Sequence, residues 1–189
     1  MYKSIEQYRY AALYTAFMSM DSSLPSDMIL ETAITESTKD AIIDHIEAVK
    51  AVTGKEIMLV GARTAIQKLQ NIIPYAMFSN DMKNEKNNNG ILGVWEGYTC
   101  LALDRVNKAG TREDVFSSDD KKKIFIMPID PENNPIKRVN EGDVMYFETG
   151  FDGLKKDMTV DAEIAYQEGI AVVINELFGL IKIQTGTSM

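Results

Sequence analysis

The fold is most directly predicted from residues 56–70, which read Glu-Ile-Met-Leu-Val-Gly-Ala-Arg-Thr-Ala-Ile-Gln-Lys-Leu-Gln. Ile57 to Val60 form a short, continuous apolar run, which is typical of a strand covered on both faces. Apolar residues then recur at helical spacing between Ala65 and Leu69, so we expect the strand to lead directly into a helix. Gly61 lies between the two and is interpreted as the residue at which the chain turns.

A longer helical pattern precedes this stretch. It runs from Met28 to Thr53, with Ser26 or Asp27 as its candidate cap and Gly54 as its end. Helix, buried strand and helix together predict the centre of a mixed α/β domain. His45, the only histidine, lies close to the apolar side of the first helix. Because no cysteine or second histidine is near it, we interpret His45 as structural and not as a metal ligand.

The junction at Gly61 also admits a second interpretation, a turn that binds phosphate. The segment lacks the other glycines of a dinucleotide fingerprint, and Gly54-Lys55 is followed by Glu56 where a phosphate-binding loop has Ser or Thr. A packing role is therefore favoured, because a lone glycine at the end of a strand is mostly a turn residue. A small α/β enzyme with a site near Gly61 remains as an alternative.

Composition narrows the possible classes of protein. The chain has 189 residues, enough for one domain with a substantial core, and 20 basic against 28 acidic residues give it a net charge of −8. This balance argues against a protein that grips nucleic-acid backbones, which requires clustered Lys and Arg. Cys100 is the single cysteine, so no disulfide within the chain is possible. No apolar stretch reaches the length that spans a membrane.

Other elements before residue 122 follow from local pattern. Residues 2–20 are predicted to be an amphipathic helix, with Tyr10, Leu13, Phe17 and Met20 spaced three and four apart. Residues 80–90 and 107–120 are polar and predict surface loops, the first of them mobile. Residues 95–104 predict a strand in which Cys100 is a small buried hydrophobe.

From Lys122 onward the pattern becomes that of β-structure. Strands are predicted at residues 123–129, 136–139, 144–148, 158–167, 170–174 and 180–183, and the third to last of these alternates between apolar and polar residues. Turns are predicted at 130–135 and 175–179, and the tail from residue 184 is predicted to fray.

Familiar catalytic and metal-binding patterns do not occur in the sequence. There is no Gly-x-Ser-x-Gly segment, and the single histidine lies within a predicted helix, away from any nucleophile pattern. No Cys/His cluster could hold zinc, and no acidic loop has the spacing of a calcium-binding loop. We therefore expect no cofactor, no metal and no enzymatic activity.

Three stretches, taken in order, resemble the major capsid proteins of tailed bacteriophages. The segment from Ile57 to Leu69 is similar to the strand and helix near the middle of that family's axial domain. The segment from Gly93 to Leu103 resembles the strand that follows, and the segment from Glu163 to Ile183 resembles the terminal strand that returns from the peripheral domain to the axial one. Residues 2–20 are similar to the end of the family's long spine helix.

The resemblance implies an α+β fold of the phage major-capsid type, with a mixed α/β axial lobe and an elongated β-rich peripheral region beside a spine helix. The expected segments are a spine helix at 1–25, an axial lobe at 26–121, a peripheral region at 122–168 and return strands at 169–189. The family's N-terminal arm and extended hairpin are not found in the sequence. The chain is therefore expected to correspond to the C-terminal portion of such a subunit.

The function implied by the resemblance is that of a viral shell subunit. It would self-associate into pentamers and hexamers and enclose DNA without binding it specifically, with no membrane partner. It would be made in the cytoplasm of the bacterial host and end in the virion capsid. The family's axial loops meet around the capsomer axis, which by position implies contacts from the loop at residues 107–120. The candidate interface residues are Arg112, Glu113, Asp114 and, directly after the loop, Lys121. A bacterial nanocompartment shell is the alternative with the same fold.

Overall fold

The computed structural model describes residues 2–108, 111–129, 136–148, 162–172 and 178–184. The chain divides into two units, and each is described by itself: Met1–Pro135 with Ile174–Met189, and Ile136–Val173. The described helices of the first unit are α1 (Tyr2–Met18), α2 (Lys39–Thr53), α3 (Arg63–Gln70) and α4 (Asn80–Asn89). Its described strands are β1 (Ile29–Thr32), β2 (Ile57–Ala62), β3 (Val94–Trp95), β4 (Tyr98–Leu103), β5 (Lys123–Pro128) and β8 (Gly179–Ile183), and the second unit contains β6 (Ile136–Glu148) and β7 (Ala162–Val172).

The first unit is built on a six-stranded mixed sheet in the order β1-β8-β5-β2-β4-β3. β1 runs parallel to β8 and β2 runs parallel to β4, whereas β5 is antiparallel to both β2 and β8. The prediction of a central strand at Ile57–Val60 is confirmed, because β2 is an interior strand and all its residues except Met58 are buried. The mixture of helices with this sheet agrees with the predicted α+β class.

Both faces of the sheet are covered near its centre. On one face α2 and α3 pack against alternate residues of the strands, and this core includes Ile42, Ile46, Val49, Leu59, Ala65, Ile66, Leu69, Ile124, Ile126 and Ile181. Phe125 lies between Ile124 and Ile126 and therefore points to the opposite face. There Phe17, at the end of α1, meets it edge to face, with 4.7 Å between the ring centroids. The apolar run of β2 is explained by burial on these two sides.

Gly61 allows two strands to approach closely, and the prediction that it forms the turn is wrong. It lies within β2, where a Cβ atom would be 2.7 Å from the carbonyl oxygen of Lys123 and 3.3 Å from Cα of Ile124. The chain changes direction one residue later, at Ala62, whose φ and ψ are −57° and 142°. The predicted helix over Ala65 to Leu69 is confirmed as part of α3.

The predicted helix from Met28 to Thr53 is correct only in its second half. Ile29–Thr32 form strand β1, which pairs with β8, and α2 begins at Lys39. Thr35 starts the helical region through a reciprocal capping arrangement with Thr38. The predicted end is confirmed, because Gly54 has a left-handed φ of 64° and its N–H donates to the carbonyl of Lys50.

Residues 80–90, predicted to be a mobile loop, form helix α4. The Ser79 hydroxyl accepts a hydrogen bond from the N–H of Met82, and Gly90 ends the helix with a φ of 75°. Lys86 Nζ lies 2.8 Å from Oδ1 of Asn71, which joins α4 to the end of α3. The sequence of α4 has no apolar stripe, and accordingly none of its residues is buried.

The predicted strand over residues 95–104 is a hairpin. β3 and β4 are joined by Glu96 and Gly97, which both have positive φ values, 49° and 86°. Two successive positive values match the twist of tight hairpin connections. Cys100 in β4 is buried as predicted, and burial raises the pKa of its thiol to about 11.

The β-rich region predicted at residues 122–168 begins later in the structure. β5 belongs to the six-stranded sheet, so the second unit starts at Ile136 and not near residue 122. The two short strands predicted at 136–139 and 144–148 are one strand, β6, with a register irregularity between Glu141 and Met145. β6 pairs antiparallel with β7, which continues without a break through Gly169. The predicted strand at 180–183 is confirmed in β8. The predictions for residues 130–135, 158–161, 173–177 and 185–189 lie outside the described residues.

Candidate functional site

The predicted interface residues lie in one surface segment, residues 107–122, called here the 107–122 loop; its residues 109 and 110 are outside the described ranges. Backbone pairing closes the segment. Asn107 and Asp114 form an antiparallel bridge, and the N–H of Lys108 donates to the carbonyl of Glu113 over 2.8 Å. The N–H of Val115 donates to the carbonyl of Val106 over the same distance. The segment is thus a short hairpin-like projection that follows β4.

Asp114 anchors this loop to its own chain. Its carboxylate is 2.8 Å from Lys121 Nζ and 3.6 Å from Arg105 Nε, and it accepts a hydrogen bond from the N–H of Phe116 over 3.1 Å. Only 11% of the Asp114 side chain is exposed. Two of the four candidate residues, Asp114 and Lys121, therefore bind each other across the base of the loop.

The charges around Asp114 set its protonation. Burial by itself would raise the pKa of this carboxyl, but the hydrogen bonds from Lys121 and Phe116 and the charges of Lys121 and Arg105 hold the pKa below its ordinary value. The carboxylate is consequently charged at neutral pH. The ion pairs of Asp114 with Lys121 and Arg105 are therefore present at neutral pH.

Phe116 attaches the loop to helix α1. Its ring stacks on Tyr14 with 5.1 Å between centroids and 14° between planes, and its side chain is buried. Neither this contact nor the role of Arg105 was predicted from the sequence. A signal was present, because Phe116 is the only aromatic residue in the mostly polar sequence of residues 107–120.

Arg112 and Glu113 lie at the outer part of the loop, and both are exposed. Glu113 pairs with Lys108 over 3.1 Å, and its side chain is 72% exposed. The backbone carbonyl of Arg112 accepts a hydrogen bond from Arg105 Nη2 over 3.0 Å, which fixes the backbone and leaves the Arg112 side chain outside. Arg112 and Glu113 thus face solvent from a held backbone, with the Glu113 carboxylate shared with Lys108 of the same loop.

An open polar cleft lies beside the loop, at the ends of β1 and β8. It has a volume of about 700 Å³, and its lining includes Glu31, Asp119, Lys122 and Lys182. Lys122 is 3.2 Å from Asp119, and Lys182 is 3.9 Å from Glu31. The cleft is lined by ion pairs that largely neutralise one another.

The surroundings of Gly61 fit packing and not a phosphate-binding turn. The glycine is buried, and the backbone of β5 occupies the space next to it. A phosphate group would have to displace that strand. This geometry removes the basis for a site near Gly61.

Large apolar side chains are exposed at several places in the first unit. Tyr8 and Tyr10 lie on α1, Tyr75 and Met77 precede α4, and Val94 and Leu101 lie on β3 and β4. Val94 and Leu101 point to the same face of the sheet, because Val94 is in register with residue 99 of β4, two positions before Leu101. Val94 and Leu101 therefore form a small apolar pair on one exposed face, whereas the other exposed apolar side chains are distributed over separate elements, as on most protein surfaces.

The described helices include none that is both long and apolar enough to cross a membrane. Within the described ranges, no group of three or more His, Cys, Asp or Glu side chains is arranged to hold a metal ion.

His45 belongs to α2 and is partly buried, and burial lowers its pKa.

Replacing Asp114 by alanine is expected to lower the free energy of unfolding by about 1–3 kcal/mol at neutral pH, because the N–H of Phe116 loses its charged acceptor and Lys121 and Arg105 lose the carboxylate they share. The folded pKa of Asp114 is lowered, so its contribution is present above the unfolded pKa of about 3.9 and is lost as the pH falls through the folded value. The difference between variant and wild type should therefore shrink below about pH 4. Urea denaturation at several pH values measures this.

The matched control is Asp119→Ala, since that carboxylate is 80% exposed where it pairs with Lys122. It should cost less than about 0.5 kcal/mol. Equal losses for the two variants would contradict the anchoring role of Asp114.

Comparison with known protein families finds one family model that matches most of the chain. A family model described as "SPbeta prophage-derived putative capsid protein YonB" matches residues 1–182. No curated protein matches the chain. The match covers both units described above and supports a viral structural role.

Proposed function

We propose that this chain, which belongs to the family of SPbeta prophage-derived putative capsid proteins YonB, is a shell subunit of the phage particle. Copies of the chain associate into pentamers and hexamers around packaged DNA, and no chemical step is involved. The subunit is made in the cytoplasm of the bacterial host and ends in the virion. The observation that carries this proposal is the family match, which extends over residues 1–182.

The architecture supports a major-capsid type of subunit. The six-stranded sheet with α2 and α3 corresponds to the axial lobe, α1 corresponds to the end of the spine helix, and the β6–β7 ribbon corresponds to the peripheral region. Strand β5 lies within the sheet and so falls to the axial lobe. A two-stranded ribbon is marginally stable in water by itself, and contacts with neighbouring subunits would stabilise it.

The 107–122 loop supports contacts around the capsomer axis. Arg112 and Glu113 present opposite charges from a backbone held by Arg105 and by the Asn107/Asp114 bridge. Little conformational freedom would be lost by the backbone of Arg112 and Glu113 when it meets its copies, because it is already hydrogen-bonded. Around a ring of identical subunits, Arg112 of one copy pairs with Glu113 of the next, a head-to-tail contact that closes on itself.

The charge of the chain fits enclosure of DNA without specific binding. A net charge of −8 opposes strong attachment to the phosphate backbone. The exposed apolar residues of α1, β3 and β4 supply surface for contacts between proteins.

The proposal is tested on particles released by induction of a prophage that carries this gene. We expect this chain to be an abundant structural component of purified, DNA-filled particles, measured by quantitative mass spectrometry against the portal protein of the same particles. A shell subunit should outnumber a ring-forming component by well over an order of magnitude, because shells contain many capsomers. Absence from the particles, or a copy number like that of the portal, would contradict the proposal.

A further inference from the structure

Lys123 joins three elements of the first unit through one side chain. Its Nζ lies 2.9 Å from Oδ1 of Asp120 and 3.0 Å from Oδ2 of Asp21, and it donates a hydrogen bond to the carbonyl of Met18 over 3.2 Å. Met18 is the last residue of α1, Asp21 lies in the 3-10 turn Ser19–Ser23, and Asp120 begins the turn before β5. Only 12% of the Lys123 side chain is exposed. The end of α1 is thus tied to the sheet by a largely buried charge.

Lys123 and Asp120 both stay ionised at neutral pH. Burial by itself would lower the pKa of Lys123, but its bonds to Asp120 and Asp21 raise the pKa above the ordinary value. Burial by itself would raise the pKa of Asp120, but hydrogen bonds from Ser117 and Lys123 lower it. The lysine also faces the carbonyl at the end of α1, where a cation is favoured by the helix dipole.

Among the described side chains of α1, residues 7–18, the fully buried ones lie at the C-terminal end. Phe17 and Met18 are exposed by 3% and 4%, whereas Tyr8 and Tyr10 are exposed by 63% and 51%. Stacking of Tyr14 on Phe116 gives a second contact between the helix and the rest of the unit. The contacts of the last turns of α1 therefore fix the direction in which the exposed part of the helix extends from the sheet.

We propose that Lys123 is a positioning residue that fixes the direction in which α1 leaves the sheet, with the Ser19–Ser23 turn as the hinge. Without the lysine, the Asp21 and Asp120 carboxylates would face each other with no cation between them, and their repulsion would drive Asp21 and the hinge away from β5. Lys182, which lies 3.8 Å from Asp21, offsets only part of this repulsion, because it sits on β8 and not between the two carboxylates. This device belongs to one chain and does not depend on the proposed function.

The test compares Lys123→Met, which keeps the length of the side chain and removes the charge, with Lys122→Met. Lys122 is the neighbouring lysine and pairs with the exposed Asp119. Spin labels on Tyr8→Cys and Ala48→Cys report the distance between α1 and α2, since both positions are exposed on their helices. The native thiol at position 100 is buried and its pKa is raised, so it reacts slowly with the label.

We expect a narrow distance distribution in the wild-type background and in Lys122→Met, and a broad or displaced one in Lys123→Met. Amide hydrogen exchange in residues 14–23 should be at least about tenfold faster in Lys123→Met, while exchange in β2 stays unchanged. A narrow distribution in Lys123→Met would overturn the inference. So would exchange that is accelerated equally in α1 and β2, since it would show a loss of global stability alone.

A second variant covers the case in which Lys123→Met does not fold. Asp21→Asn removes the charge of one of the two groups that Lys123 contacts at the end of α1, and it leaves the Lys123–Asp120 pair and the hydrogen bond to the Met18 carbonyl intact. It should broaden the distance distribution to a smaller extent. A wild-type distribution in Asp21→Asn, with Lys123→Met unfolded, would also overturn the inference.

Discussion

Replacing Leu59 by alanine is expected to lower the free energy of unfolding by about 2–5 kcal/mol. Leu59 is fully buried on the interior strand β2, in register with Cys100 of β4 on one side and Ile126 of β5 on the other. The helices α2 and α3 pack against the same face, so the cavity left by the truncation cannot be filled by solvent or by a surface side chain. Urea denaturation followed by circular dichroism measures the change.

Leu101→Ala is the matched control. Leu101 lies on the adjacent strand β4 and undergoes the same chemical change, but its side chain is 50% exposed. The expected loss is less than about 1 kcal/mol, because little apolar surface is returned to water. If Leu59→Ala cost no more than Leu101→Ala, β2 would not be the central strand of the core.

The sequence predicts β2 and α3 well because burial determines them locally. The four apolar residues from Ile57 to Val60 place apolar side chains on both faces of a strand, and Ala65 to Leu69 carry the helical repeat that covers one of those faces. The end of α2 was also predictable, because Gly54 adopts a left-handed conformation that other residues avoid.

Other elements depend on partners distant in sequence. Ile29–Thr32 fit a helical repeat, but pairing with β8, about 150 residues further along, makes them a strand. Gly61 shows the same limitation, since its role follows from the backbone of Lys123. Helix α4 was missed for a different reason: none of its residues is buried, so capping by Ser79 and Gly90 was its main local signal.

The charges of the loop that follows β4 could not be sorted from the sequence. The sequence predicted a polar surface loop at residues 107–120, but not which of the charged residues pair within the chain. The pairing of Asp114 with Lys121 and Arg105 depends on the closing of the loop and on Phe116 reaching Tyr14. Asp114, Lys121 and Phe116 therefore hold the loop in place, whereas Arg112 and Glu113 face solvent. Substitutions at Arg112 and Glu113 can test assembly without disturbing the fold.

The double variant Arg112→Ala, Glu113→Ala is expected to abolish or strongly impair formation of capsomers while the single chain remains as stable as the wild type. Both side chains are exposed, and the loop is held through the backbone carbonyl of Arg112 and the N–H of Glu113, which alanine retains. Surface substitutions of this kind change the free energy of unfolding by less than about 0.5 kcal/mol. Loss of an interface residue that carries binding energy costs about 1–2 kcal/mol or more, so each contact should weaken by at least about tenfold.

The effect on a ring exceeds the effect on one contact, because each subunit of a closed ring makes the same contact twice. Assembly is measured by sedimentation velocity and negative-stain microscopy on the chain expressed with the neighbouring structural genes of the prophage. The control is Lys50→Ala, Glu56→Ala, which also removes one cation and one anion from an exposed pair, 3.8 Å apart, away from the loop. It should assemble like the wild type. Normal assembly of the Arg112, Glu113 variant would show that the 107–122 loop is not the axial contact, and equal impairment of both variants would show that the assay reports general surface charge.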